Sequence, residues 1–366
     1  MTEKKIVITV VVVIEDENDN IYYFEEDQHN LLPIFLVPSF MVSLCKNGLL
    51  EGILIMNAIK NEKYFICSSN WGCLRCSSRN ETTWAIPCFR YDWLWYMGST
   101  GRTWSDDTSL TLCLIQNLVK DDDLDSLMDK FVSYMENAEW TPADEVFDVG
   151  NSCSKAIVNY AVNKLPATEC GDNSEYGNGN GAIMRLAPLV MTLNDELTIE
   201  ERFKQYRDYT SLTHRHPRAI TGSLIYLEIL WYLKQGASLV DAIKSSEDSV
   251  DLIGNYSVKY RNEKQSFNRI FDSDFKNLPV SAIRSSGYVV DTLGAAVWIA
   301  LNSDSYKNAI LTAVNLGGDT DTIASITGSI MGFKDAIDIP SEWTEAIVNR
   351  EYFEKIVNPF VEKYRD

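Results

Sequence analysis

From Thr108 to the C-terminus, apolar positions recur mostly at the three- and four-residue spacing of helices that bury one face. Leu110, Cys113, Leu114 and Leu118 stack along one such face. Residues 219–233 are apolar almost all round, which predicts a long buried helix with Gly236 as its stop. Ser238, with Asp241 three residues on, predicts the cap of the next helix. Residues 292–301, 309–314 and 322–331 carry the same helical spacing, and no sustained strand-type alternation or internal repeat interrupts them. The pattern predicts an all-α body with functional loops at helix starts.

The first 55 residues read differently. The apolar run at 6–14 is too short to span a bilayer, and a polar stretch at 16–20 leads to Ile21-Tyr22-Tyr23-Phe24. This predicts a β-hairpin. Lys4 and Lys5 precede the run as they would in a signal peptide. However, Glu15-Asp16-Glu17 follows directly without a small-residue cleavage site, so a cytoplasmic protein is expected. A Pro-containing apolar stretch occupies 31–42, and Met56 is an alternative start. The chain thus divides into an extension, 1–55, with no role legible in its residues, and a domain, 56–366.

At 366 residues the chain can bury one large core or two smaller ones. A net charge of −19 argues against general binding to nucleic acid or anionic membranes, which needs clustered Lys and Arg. Four of the eight Cys (Cys67, Cys73, Cys76 and Cys88) crowd into one segment, but no second pair or nearby His completes a zinc site around Cys73 and Cys76. The only His are His29, His214 and His216, so any metal should be held by carboxylates.

Two stretches meet that requirement. Trp104-Ser105-Asp106-Asp107-Thr108 and Asn315-Leu316-Gly317-Gly318-Asp319-Thr320-Asp321-Thr322 lie more than two hundred residues apart and repeat one design. Each sets two Asp beside hydroxyl residues just before an apolar, helix-like run. One helix cap needs one Asp or Ser; two Asp plus Thr suit Mg²⁺ or Mn²⁺, which take oxygen ligands. Gly317-Gly318 also provides a backbone that a ligand can approach closely.

With these motifs the chain resembles the ADP-ribosylglycohydrolase family, which includes dinitrogenase-reductase-activating glycohydrolases and ADP-ribosyl-arginine and -serine hydrolases. Three further stretches fall in family order: Gly179-Asn180-Gly181-Ala182-Ile183-Met184-Arg185, Ser211-Leu212-Thr213-His214-Arg215-His216-Pro217, and Ser286-Gly287-Tyr288-Val289-Val290-Asp291-Thr292. The resemblance runs from about Trp104 to the C-terminus. It implies an all-α orthogonal helical bundle with two Mg²⁺ (or Mn²⁺) held by Ser105, Asp106, Asp107, Asp319, Asp321 and Thr322. Asp107 and Asp319 would be the catalytic carboxylates. Gly179, Asn180, Gly181, Met184, Gly317 and Gly318 would contact the substrate, an ADP-ribosylated protein or small ADP-ribosyl compound. His214 is read as structural rather than as a base. A non-catalytic ADP-ribose-binding or crystallin-like member of the same fold is the alternative. A two-metal phosphatase would use similar carboxylates, but the chain lacks the His ligands common in such sites, and that reading explains neither the Gly179 loop nor the Met184-Arg185 context.

One departure stands out. Family members carry a motif like GDALGxPxE near the start, whose acid is implicated in proton transfer, and this chain lacks it. Residues 66–101 are instead dense in Cys and Trp and show no periodicity. Dropping one nucleotide from the codon for Asn70 and reading through Arg79 with suitable synonymous codons yields IGDALGVPVE. The single codon of Trp71 forces the first Gly. The expectation is that 66–101 is translated out of frame.

Overall fold

The computed structural model describes residues 7–10, 39–43, 56–57, 104–334, 339–340 and 347–364. Among these residues it is mostly helical, as the spacing predicts, with twelve α-helices. They are α1 Asp106–Lys120, α2 Leu124–Asn137, α3 Asn151–Ala161, α4 Leu189–Thr192, α5 Ile199–Ser211 and α6 Pro217–Lys234. There follow α7 Leu239–Tyr256, α8 Val258–Phe271, α9 Val289–Asn302, α10 Tyr306–Asn315, α11 Thr320–Lys334 and α12 Arg350–Lys363.

The apolar helix expected at 219–233 is α6, the hub of the fold, packed against α5, α7, α8 and α11. Leu224, Leu227, Ile229 and Leu230 are wholly buried, each contributing about 1.5–3 kcal/mol of transfer free energy. Pro217 starts the helix with its fixed φ, and the His216 ring accepts the Arg218 N–H at 3.2 Å. Gly236, at φ +89°, follows its end. Ser238 then caps α7, accepting the Asp241 N–H at 3.2 Å. Leu110, Cys113 and Leu114 of α1 are likewise fully buried. α11 is covered by α6, α9 and α10, which explains why its residues from Thr322 to Phe333 are all buried.

A small antiparallel sheet has the order β1 (Val7–Val10), β2 (Ser39–Ser43), β3 (Met56–Asn57). The strand expected within 6–14 is therefore present, and Val7 to Val10 pair with Ser43 to Phe40. The stretch 31–42 contributes the body of β2, which lies along α11. The return strand at 21–24, the Cys67–Cys88 cluster and the segment 66–101 lie outside the described residues. No helix among the described residues is long and apolar enough to cross a membrane.

Candidate active site

The starts of α1 and α11 meet. Trp104 anchors the first motif, its buried indole donating to Trp140 O at 2.9 Å and Ser109 Oγ at 3.1 Å. That pins the turn which places Asp106 and Asp107 in the first turn of α1. Asp106 Oδ2 accepts the Gly150 N–H at 2.9 Å. Asp107 Oδ2 accepts from Ser105 Oγ at 3.4 Å and, across the site, from Thr322 Oγ1 at 3.3 Å. The two motifs are thus joined directly. Asp107 Oδ1 is buried and has no hydrogen-bond partner.

At α11, Gly317 and Gly318 both adopt φ +73°, a conformation that strains other residues. A Cβ on Gly318 would come within 2.1 Å of Ser285 O. This close approach lets Asp319 N donate to Ser285 O at 2.8 Å, aiming the motif inward. The glycine loop forms the facing wall. Asn180 N donates to Gly287 O at 3.0 Å, and its amide Nδ2 donates to Asp319 Oδ2 at 2.7 Å. A Cβ on Gly181 would crowd Cys153 Sγ at 3.0 Å and the His214 ring at 3.1 Å, so the loop must be bare there. Behind it, buried Arg185 donates to Gly181 O and, at 2.9 Å, to Thr213 Oγ1.

These walls enclose a cleft of about 280 Å³. Of the residues expected from sequence, Asp106, Asp107, Asp319, Asp321, Thr322, Gly179, Asn180, Gly181 and Met184 line it. Ser105 stands behind Asp107. Gly317 and Gly318, also expected at the substrate, do not line this cleft; at Gly318 the bare backbone admits Ser285. His214 lines the cleft, fully buried, with Nδ1 2.9 Å from Thr213 Oγ1. Sequence reasoning missed Asp148, Cys153 and Tyr176. For Asp148 the only available signal was its place just before the helix start at Gly150-Asn151.

The electrostatics are one-sided. Burial, then Asp148 and Asp319 nearby, push the Asp106 carboxyl up to about 7. Burial, then Asp106 and Asp319, hold Asp107 well above the carboxylate range, and burial with Asp319 and Asp107 does the same to Asp321. Asp148 is exposed at the mouth, yet the cleft walls strip enough water from its carboxyl to raise it, with Asp319 adding repulsion. Among the described residues no Lys or Arg lines the cleft. His214 stays neutral: burial, then the charge of Arg185, lower it to about 3. Burial pushes the Cys153 thiol up to about 12, so it is no nucleophile at neutral pH.

Two Asp from each motif, set beside Ser105 and Thr322, make a hard-oxygen donor set. Among the described residues no three acid, His or Cys side chains are gathered into a ready-made metal cage. The fit to a divalent cation rests on the donor chemistry and on Asp107 Oδ1, a buried acceptor with nothing to accept from.

The chain is similar to several known proteins. The family model described as ADP-ribosylglycohydrolase matches residues 75–366. The ADP-ribosylarginine hydrolase Tri1 of Serratia proteamaculans is 31% identical over 257 residues, covering 68% of this chain and 64% of that protein. The ADP-ribosyl-[dinitrogen reductase] glycohydrolase of Rhodospirillum rubrum is 29% identical over 246 residues, covering 65% and 71%. A solved structure described as "ADP-ribosylglycohydrolase-related protein complex" superposes with a TM-score of 0.56 at 25% identity, covering 72% of this chain and 82% of that one. The chain spans just under two thirds of the length of the Serratia hydrolase, 64%, and of the ADP-ribosylarginine hydrolase Tri1 of Pseudomonas putida, 66%, to which it is 28% identical.

Proposed function

Because the chain belongs to the ADP-ribosylglycohydrolase family, we propose that it cleaves, with a divalent cation, the glycosidic bond between ADP-ribose and a modified side chain, arginine being the first acceptor to test. The observation that carries this reading is the meeting of the two Asp motifs in one cleft, bonded through Thr322 and Asp107, opposite the Gly179–Gly181 loop.

Ser105, Asp106, Asp107, Asp319, Asp321 and Thr322 would hold Mg²⁺ or Mn²⁺. When bound, the ion would neutralise the carboxylates, hold the ribose hydroxyls and make a nearby water more acidic. Gly179 and Gly181 leave main chain bare for a ribose and diphosphate to approach, and Met184 adds apolar contact. The Asp319 carboxylate, fixed by Asn180, accepts the proton of the attacking water as the anomeric carbon gains oxocarbenium character. Asp148 retains its proton more readily than a free carboxyl and passes it to the leaving nitrogen.

The test is release of ADP-ribose from an ADP-ribosylated arginine substrate by the full chain. Release should stop with a chelator and return with Mg²⁺. ADP-ribose binding without release under any condition would favour the non-catalytic alternative.

The out-of-frame reading of 66–101 is a second proposal, tested by resequencing the coding DNA between the codons for Asn57 and Thr108. An extra base near Ile66 and a compensating loss near Gly101 are expected; an intact frame overturns the proposal. Restoring a missing acid should raise turnover by about 10²–10⁴-fold in the frame-corrected chain.

A further inference from the structure

The stretch from Ser286 to Thr292 stands out in the sequence but has no part in the chemistry above, and none of the side chains of Ser286, Tyr288, Asp291 and Thr292 lines the cleft. Its geometry nevertheless leads there. Thr292 is fully buried in the first turns of α9. A buried helical threonine usually bonds a carbonyl one turn back in its own helix. Thr292 instead donates to Ser286 O, outside the helix, at 2.8 Å. Its hydroxyl proton being spent there, Oγ1 faces Asn180 as an acceptor and takes the Nδ2 hydrogen bond at 3.0 Å.

The same Asn180 nitrogen donates to Asp319 Oδ2 at 2.7 Å. An amide nitrogen has two hydrogens, and both are now assigned. The carboxylate can only accept, which fixes the way the amide faces. The Ser286–Thr292 turn also grips Asn180 by its main chain, through Gly287 O at 3.0 Å. Gly287 itself lies so near the acid that a Cβ there would come within 2.8 Å of Asp319 Oδ2. Ser286 Oγ donates to Asp291 Oδ2 at 2.7 Å and closes the turn on itself. The chain of bonds therefore runs from Ser286 O through Thr292 and Asn180 to one oxygen of Asp319.

We propose that Thr292 is a positioning residue which, through the Asn180 amide, orients the Asp319 carboxylate and so sets the affinity of the acid cluster for a divalent cation. The proposal rests on the reading that the cluster binds such an ion. Groups that orient metal-binding side chains from behind typically matter by about 10–100-fold in metal affinity.

The experiment is titration of the full chain with Mn²⁺ alone, followed by calorimetry, alongside thermal melts in chelator. Wild type should bind Mn²⁺. Thr292→Val, which keeps the shape and loses the hydroxyl, should bind roughly 10–100-fold more weakly. Thr292→Ala removes the same hydroxyl without a branched side chain to fit, and should show the same loss if the valine variant does not fold. Thr292→Ser restores the hydroxyl and should return affinity close to wild type. A folded valine or alanine variant with wild-type Mn²⁺ affinity overturns the proposal. So does a serine variant as weak as the valine one, because packing of the methyl group would then be the cause. If wild type takes up no Mn²⁺, the metal reading itself falls, a result distinct from failure of the Thr292 assignment alone.

Discussion

Two of the buried charge clusters among the described residues are built on opposite principles. Between α5, α6 and α7, the wholly buried Glu228 carboxylate accepts four hydrogen bonds. Arg202 Nε at 2.8 Å and Tyr206 Oη at 3.0 Å reach Oε1; Arg202 Nη2 and Ser249 Oγ, both at 2.7 Å, reach Oε2. Arg202 also donates to Leu197 O at 2.8 Å and lies 4.8 Å over the Trp231 ring. Burial alone would lower this guanidinium, but its bonds to Glu228 more than offset that and hold it above its ordinary value. In the cleft, Asp106 and Asp107 are almost as buried, but their neighbours are other acids, and Asp107 Oδ1 has no partner. Burial is therefore not what marks a site. Burial without compensation is, because a fold has no structural reason to retain mutually repelling carboxylates in a dry place.

The sharpest test of that contrast swaps the two properties one at a time. Asp319→Ala should cost about 4 kcal/mol of transition-state stabilisation, roughly 10³-fold in metal-dependent ADP-ribose release. Its melting temperature in chelator should hold or rise, since one repelling carboxylate is gone. Glu228→Ala should do the reverse. Stranding Arg202 without its partner costs about 3–5 kcal/mol of stability, while release per folded molecule stays near wild type. An Asp319 variant that unfolds, or a folded Glu228 variant without activity, would break the division between the two clusters.

How far this contrast is legible in sequence differs between its halves. The doubled Asp of each motif is more than a helix cap needs, so the acids announce themselves. The Arg202–Glu228 pair does not, because each is one charged residue on a helix and only the packing of α5 on α6 joins them. The helix at 219–233 is legible because it is apolar almost all round, and its end is legible because Gly236 takes a positive φ that other residues avoid. Helices α5 and α8 are strongly polar and owe their place to the few residues they bury, such as Phe203 and Phe267. Gly317-Gly318 shows a different limit. A glycine pair lets a ligand or another chain segment come close, and at Gly318 the segment that does so is that of Ser285, remote in sequence. Asp148 reaches the cleft by the path of an aperiodic loop, which no spacing rule describes.

A smaller effect sharpens the comparison from the ligand side. A divalent ion that binds only the folded cleft stabilises it by about 2.7 kcal/mol at a hundred times its dissociation constant. Mg²⁺ should therefore raise the melting temperature of wild type and of Glu228→Gln, and leave Asp319→Ala nearly unmoved. An equal rise in all three would mean the ion acts elsewhere on this acidic chain.

The smallest predicted effect is a pH slope, and it separates the clusters without any ion. Folded Asp106 holds its proton up to about pH 7, against an ordinary value of 3.8. Between those values the folded chain keeps a proton that the unfolded chain has released. The stability this contributes is fully present below 3.8 and is lost as pH rises through about 7, at up to about 1.4 kcal/mol per unit. Asp107 and Asp321, also raised, act in the same direction. Arg202 gives up no proton in this window. Chemical denaturation in chelator at pH 5 and pH 8 should find wild type less stable at the higher pH, with a smaller drop in Asp106→Asn. Taking the difference between the two proteins cancels every other titrating group that the substitution leaves alone. An identical drop in both would place the repulsion on acids other than Asp106, and the unequal burden on the cleft would then rest with Asp107 and Asp321.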